Sequence, residues 1–126
     1  MILINFAHPL TDMQKRQLEN LLGVSIKRVI EANPQFDPQQ GFEMQTEMLI
    51  NAVGLTSTEW QTTPLSVILP SLSAIAVTLM AELHGRCGYF LPMVRIRPKA
   101  DALPPVYEVA ELLNLQALRD RARSTR

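Results

Sequence analysis

Cysteine is nearly absent from this chain of 126 residues, since Cys87 is its only one. No intramolecular disulfide can form, and a zinc site with four cysteine ligands is excluded. Histidine is also scarce, with only His8 and His84, and neither a His-x-x-x-His pair nor a carboxylate cluster indicates a metal site. We therefore expect neither a bound metal nor a resident cofactor.

The glycine-containing signatures of common nucleotide and acyl-transfer sites are missing as well. No G-x-G-x-x-G follows the first predicted strand, and no G-x-x-x-x-G-K-[ST] occurs anywhere. This argues against a dinucleotide or nucleoside triphosphate held in the usual manner. No G-x-S-x-G elbow is present, which argues against an acyl hydrolase.

An excess of one charge is lacking too, because the formal net charge is zero. Without a basic face the protein does not suit duplex nucleic acid, and no global field draws it to a membrane. The charge is uneven, however, at −3 over residues 1–70 and +3 over 71–126. The N-terminus has no basic leader, and no apolar run is long enough to span a bilayer, so we expect a cytoplasmic protein.

The residues that are present indicate one globular domain over 1–126, with 118–126 as the basic end of a C-terminal helix and its tail. Apolar or β-branched runs predict strands, and apolar residues at intervals of three and four predict helices. The predicted strands are 1–6, 24–32, 64–70 and 89–98. The predicted helices are 12–22, 42–53, a short turn opened by 56–59, a helix from Ser71 to Gly85, and 115–123. Residues 106–113 fit either a fifth strand or the start of the last helix.

Capping signals place several of these boundaries. Thr11 with Gln14, and the segment TSTE at 56–59, are capping boxes that begin helices. Ser71 is the predicted N-cap of the longest helix, and Gly85 its predicted end. Alternating strands and helices predict a Rossmann-like α/β domain, with a mainly parallel sheet covered on both faces.

Ligands of open parallel sheets bind outside the carboxyl ends of the strands. The stretch INFAHPLT places Asn5, His8 and Pro9 at such an end, after the first strand. Ser71 and Ser73 follow the third strand and lie at a helix N-terminus, where free N–H groups favour an anion.

The segment HGRCGYF, residues 84–90, has two interpretations. Its glycines permit a loop that offers Arg86 to a phosphate or a partner subunit, or the segment is a helix end that leads into a strand. Cys87 is a weak candidate nucleophile, because no histidine can be paired with it. The methionines are interpreted as core filler or as an interface.

Four strings lie between residues 4 and 123, and they are INFAHPLT, NAVGLTSTEWQTTPLSVILPSLS, AELHGRCGYFLPMVRIRP and YEVAELLNLQALRDRAR. They resemble a small family of CRISPR-associated accessory proteins of type III systems, family fifteen of the Csx series. The resemblance implies a CARF-like, Rossmann-like fold that binds a cyclic oligoadenylate, with cyclic tetra-adenylate as the commonest ring. The implied ligand-binding residues follow the first and third strands, with one added phosphate candidate, and they are Asn5, Phe6, His8, Pro9, Pro70, Ser71, Leu72, Ser73 and Arg86.

On this reading the protein dampens signalling by sequestering the ring. A homodimer would present the same patch twice to a ring of matching symmetry, and a ring between two dimers could link them further. Two alternatives stay open. One is a metal-independent ring nuclease in which a ribose 2′-OH attacks the neighbouring phosphate, helped by His8, Ser71 and Arg86. The other is a non-enzymatic adaptor that binds a protein through its basic C-terminal helix and methionine-rich surface.

Overall fold

Five strands and five helices follow one another in the computed structural model, which describes residues 1–126. The strands are β1 (Ile2–Asn5), β2 (Arg28–Glu31), β3 (Leu65–Ile68), β4 (Met93–Pro98) and β5 (Tyr107–Leu113). The helices are α1 (Asp12–Leu22), α2 (Phe42–Val53), α3 (Ser57–Thr62), α4 (Ser73–Cys87) and α5 (Leu115–Arg123).

The strands form one sheet in the order β2-β1-β3-β4-β5. The first four are parallel, and β5 pairs antiparallel with β4. The predicted Rossmann-like, single-domain α/β fold is confirmed. The open question at 106–113 is settled in favour of a strand. Because β1 lies between β2 and β3, the strand order reverses beside β1, where open α/β sheets place their ligands.

Both faces of the sheet are covered. The larger core packs α2, α3 and α4 on one face, around Phe6, Trp60 and Leu79. The smaller core packs α1 on the other face, through Leu18 against Leu3 and Val94. Strand β1 contributes to both cores, with Ile4 in the larger and Leu3 in the smaller. Successive side chains of a strand point to opposite faces of the sheet.

Edge strand β2 is shorter than the predicted 24–32. It pairs only with β1, whose four residues limit the register to Ile2 opposite Arg28 through Asn5 opposite Glu31. Ile26 donates its backbone N–H to the Glu19 carboxylate at 2.8 Å, and is therefore held by α1 instead of by the sheet.

Arginines of β4 lie on a partly exposed face of the sheet. Arg95 is hydrogen-bonded to Glu111 of β5 through Nε at 2.8 Å, and Arg97 to Glu108 at 3.2 Å. These cross-strand ion pairs explain the alternation of arginine with Val94 and Ile96. The strand is not an edge, since it lies between β3 and β5.

Both predicted capping boxes are formed, by Thr11 with Gln14 and by Thr56 with Glu59. Hydrogen bonds from the backbone and side chain of Thr56 lower the pKa of Glu59. Both boxes are local features, and each needs only a hydroxyl and an amide or carboxyl group three residues apart.

The predicted ends of the longest helix are wrong. Helix α4 begins at Ser73 with Leu72 as its N-cap, and it continues through Gly85 to Cys87. A glycine inside a helix costs only about 1 kcal/mol relative to alanine, so Gly85 does not stop it. Gly88 stops it, because its φ of 83° is left-handed and its N–H closes the helix on the carbonyl of His84.

No helix combines the length and the apolar character that crossing a bilayer requires.

Candidate functional site

Three strand exits meet at one end of the sheet. Phe6 donates its backbone N–H to the carbonyl of Ile68, and Ala32 donates to the carbonyl of Asn5, both at 2.9 Å. The segments that follow β1, β2 and β3 therefore lie side by side. We call the exposed residues after β1 and β3 the carboxyl edge, and they are His8, Pro9, Ser71, Leu72 and Ser73.

Asn5 shapes this edge from beneath. Its side chain is fully buried; Nδ2 donates to the carbonyl of His8 at 2.8 Å, and Oδ1 accepts from the N–H of Ala7 at 2.9 Å. Both polar atoms of the Asn5 amide are therefore hydrogen-bonded within the turn that follows the first strand. It positions His8 and Pro9 and has no free face for a ligand.

Phe6 was also expected to contact the ligand, and its ring is instead fully buried in the larger core. Phe6 follows Ile4 on the face of the sheet that packs against the larger core. An apolar side chain is needed at this position, because residues two apart in a strand point to the same face. Pro70 is half-buried behind the edge. The surface available to a ligand comes from His8 and Pro9 on one side and from residues 71–73 on the other.

The N-terminus of α4 opens onto the carboxyl edge. Its N-cap, Leu72, has no side chain that can accept a hydrogen bond. The first-turn N–H groups of Ser73, Ala74 and Ile75 have no intrahelical partner, as at any helix start. These N–H groups, together with the two exposed serine hydroxyls, can hold an anionic oxygen.

Two residues that the sequence interpretation passed over also belong to this end. Asn33, just after β2, donates its Nδ2 to the carbonyl of Ala7 at 3.3 Å. Lys99 is the first residue after β4 and is exposed. Since Met93 lies opposite Val67, β4 continues past the end of β3 and carries Lys99 beyond the edge. The signal was available, because each is a polar residue directly after a predicted strand.

Arg86 is not part of the carboxyl edge. It lies in the last turn of α4, thirteen residues after Ser73, which is about 20 Å along the helix axis. Its Nε and Nη2 donate to Glu82 at 3.0 and 2.9 Å, and Nη2 also donates to Asn51 Oδ1 at 2.8 Å. The structure therefore supports the helix-end interpretation of residues 84–90 and separates Arg86 from the other predicted ligand contacts.

Arg86 instead lines a cavity of about 440 Å³ at the opposite, amino end of the sheet. The buried thiol of Cys87 lines it too. Burial raises the pKa of this thiol to about 11, so it is protonated at neutral pH and is not an activated nucleophile. His84 makes no hydrogen bond to the thiol; its ring packs against that of Phe90, tilted by 53° with centroids 4.3 Å apart.

Nowhere do three histidine, cysteine or carboxylate side chains converge as a metal site would require. Comparison with known proteins gives no match to this chain among protein-family models, curated sequences or solved structures. The fold, the carboxyl edge and the amino-end cavity are therefore the observations from which function can be argued.

Proposed function

We propose that this protein binds a cyclic oligoadenylate, with cyclic tetra-adenylate as the first candidate, at its carboxyl edge and dampens signalling by sequestering it. One observation carries the proposal. The carboxyl ends of β1 and β3 adjoin, so exposed His8 lies at the same end of the sheet as Ser71, Ser73 and the open N-terminus of α4. Imidazole, hydroxyl and backbone N–H groups are donors suited to phosphates and adenine edges.

Neutral overall charge supports a small, multiply charged ligand over a duplex. Backbone N–H groups hold phosphates without a large basic surface, whereas duplex binding needs several lysine or arginine contacts. Lys99, beyond the end of β3, adds one cation where phosphates of a large ring would extend. A homodimer would offer this edge twice, in keeping with the symmetry of the ring.

Binding without cleavage is the function that the side chains support better. Among the three residues considered as helpers, Arg86 is on the far end of α4 and engaged by Glu82 and Asn51. His8 and Ser71 remain, and both are exposed to water. Alignment of a ribose 2′-OH with its phosphate depends on firmly held groups, which this edge does not supply in one subunit.

The test is a thermal melt with cyclic tri-, tetra- and hexa-adenylate, followed by chromatography of the nucleotide from the same samples. We expect one ring to raise the melting temperature by several degrees and to be recovered intact. Recovery of linear product with a 2′,3′-cyclic phosphate would establish the ring nuclease instead. No shift with any ring would contradict both nucleotide functions.

Matched variants locate the site. His8→Ala is expected to weaken binding about tenfold, a loss typical of one hydrogen bond to a charged group. His84→Gln, at the other end of the sheet, is the control and should bind normally. Equal losses in both variants would contradict a site at the carboxyl edge.

The adaptor alternative rests on a different surface. Met44 and Met48 of α2 and Val77 of α4 are 71%, 65% and 70% exposed and line a groove between the two helices. Flexible methionine side chains adapt to varied partners. An adaptor would show no melting shift with any ring, whereas Met44→Gln with Met48→Gln would leave the fold intact and abolish its partner binding.

A further inference from the structure

Helix α5 is the one helix of the chain that contributes no residue to either core. It has nine residues, none of them buried, and no other helix or strand packs broadly against it. Only its start is fixed, by the cap Asn114 and by Gln116, whose Oε1 accepts the N–H of Phe90 at 2.9 Å. Helices of this length are marginal in water and owe their stability to packing of an amphipathic face. A surface that α5 can pack against is therefore needed.

The free face of α5 combines an apolar stripe with a row of positive charge. Leu115, Leu118 and Ala122 are three and four residues apart and so share a face, on which Leu118 is 55% exposed. Arg119 and Arg123 lie along one side of this stripe, and they border the same surface depression as Ala122. This arrangement fits an apolar groove with acidic sides.

A groove of that character lies between α2 and α4, with a volume of about 1200 Å³. Its apolar part consists of the exposed side chains of Met44, Met48 and Val77. Glu43 and Glu47 also line it, and no lysine or arginine does. We call this surface the acidic groove.

The carboxylates contributed by α2 lack counter-ions. Glu82 of α4 is paired with Arg86 at 2.9 Å, but Glu43 and Glu47 make no ion pair. These two are four residues apart on one helix, a spacing at which like charges disfavour the helix. No lysine or arginine occurs between residues 29 and 85, so no neighbour in sequence neutralises them. A pair of cations from another segment would remove this repulsion.

We propose that α5 of one copy of this chain docks into the acidic groove of a second copy. The apolar stripe of α5 covers the exposed methionines, and Arg119 and Arg123 face Glu43 and Glu47, which have the same spacing of four residues. Two grooves brought together would oppose unpaired carboxylates, and two α5 helices would oppose arginines, so only the mixed contact is complementary.

This contact is independent of the site proposed above. No residue of α5 lines the groove of its own chain, so the contact joins two copies. No residue of the carboxyl edge lines the groove either, and the inference does not rest on the cyclic nucleotide proposal.

Sedimentation velocity of the full chain without nucleotide tests the contact first. We expect concentration-dependent association, half-complete at or below about 100 µM protein in about 50 mM sodium chloride. In about 500 mM sodium chloride it should be at least about fivefold weaker, because salt screens exposed charges. A monomer at about 200 µM in the lower salt would overturn the proposal and leave both surfaces to other partners. Association that salt does not weaken would overturn the pairing of charges.

Charge reversal locates the contact. Glu43→Lys with Glu47→Lys alters the groove, and Arg119→Glu with Arg123→Glu alters α5. Each double variant alone should associate at least about tenfold more weakly than the wild type, because its groove and its α5 then carry the same charge. Mixed in equal amounts, the two variants should associate again, because the α5 of each meets a groove of opposite charge on the other.

A control variant has the same change in net charge as the α5 variant, at exposed residues outside both surfaces. It is Arg16→Glu with Lys27→Glu, and it should associate like the wild type. Circular dichroism confirms that each variant is folded. Normal association of either folded variant alone, or a mixture of the two that stays monomeric, would refute the contact.

Discussion

The two ends of the sheet are built in opposite ways. At the carboxyl edge the polar groups are on exposed loops, and a fully buried amide, Asn5, holds the loops from beneath. At the cavity of the amino end, Arg86 is half-buried and the thiol of Cys87 is buried, whereas Ser57 and Gln61 are exposed. Contacts made in water are individually weak, whereas donors shielded from water are strong.

This difference bears on what each end can bind. An exposed edge gains affinity only by making many contacts at once, which favours a large ligand such as a cyclic oligonucleotide bridging two subunits. The cavity at the amino end lies between two helices, but its one cation, Arg86, is already paired with Glu82. The following substitutions and measurements perturb one end while leaving the other intact.

The largest effect is expected from Asn5→Ala. The variant loses two hydrogen bonds and leaves the N–H of Ala7 and the carbonyl of His8 without their partner, which should lower the free energy of unfolding by about 2–4 kcal/mol. Urea denaturation measures this. Asn20→Ala, an exposed asparagine on α1, is the control and should be nearly neutral. A small effect of Asn5→Ala would mean that the edge is held by something other than this amide.

The second effect concerns the thiol of Cys87 at the other end. Since burial raises its pKa from 9.0 to about 11, the reactive thiolate at pH 8 should be about 100-fold scarcer than in the unfolded chain. Alkylation by iodoacetamide should therefore be slow in the native protein, fast in urea, and faster as pH rises toward 11. Equal native and denatured rates at pH 8 would contradict this protection.

Local signals made much of the fold predictable. The capping boxes at Thr11 and Thr56 need only side chains three residues apart, and the apolar run at 1–6 identifies a central strand wherever it occurs. The end of α4 was misplaced because a sequence containing Gly85 and Gly88 does not reveal which glycine takes the left-handed φ. That error ended the helix too early and left open a loop interpretation for Arg86.

The candidate sites depended on information that is not local. An amide at the end of a strand suits a ligand or a turn equally, and only the position of the His8 carbonyl shows that Asn5 serves the turn. Trp60 attracted no functional interpretation, because an unpartnered indole is visible only when everything around it is placed. The exposed His8 and Ser71, by contrast, were identified from the rule for strand ends.

Paired glycine substitutions test the corrected end of α4, each with an effect of about 1 kcal/mol. Gly85→Ala should stabilise the protein, because a Cβ there meets no atom within 4 Å and alanine favours a helix interior. Gly88→Ala should destabilise it, because alanine disfavours a φ of 83°. Thermal melts of the two variants should move in opposite directions. The reverse signs would restore Gly85 as the helix end.

The smallest effect concerns Thr46, whose buried hydroxyl is the other polar group without a partner. Thr46 lies at the groove between α2 and α4, whose rim carries Glu43 and Glu47. Thr46→Val removes the unpaired hydroxyl at nearly constant shape and should raise stability by about 0.5 kcal/mol. Thr78→Val is the matched control, because its hydroxyl donates to the carbonyl of Ala74 at 2.7 Å and its loss brings no such gain. Urea denaturation of both variants tests whether the unpaired hydroxyl of Thr46 destabilises the fold. A clear loss of stability in Thr46→Val would show that its hydroxyl has a partner in solution, such as a bound water.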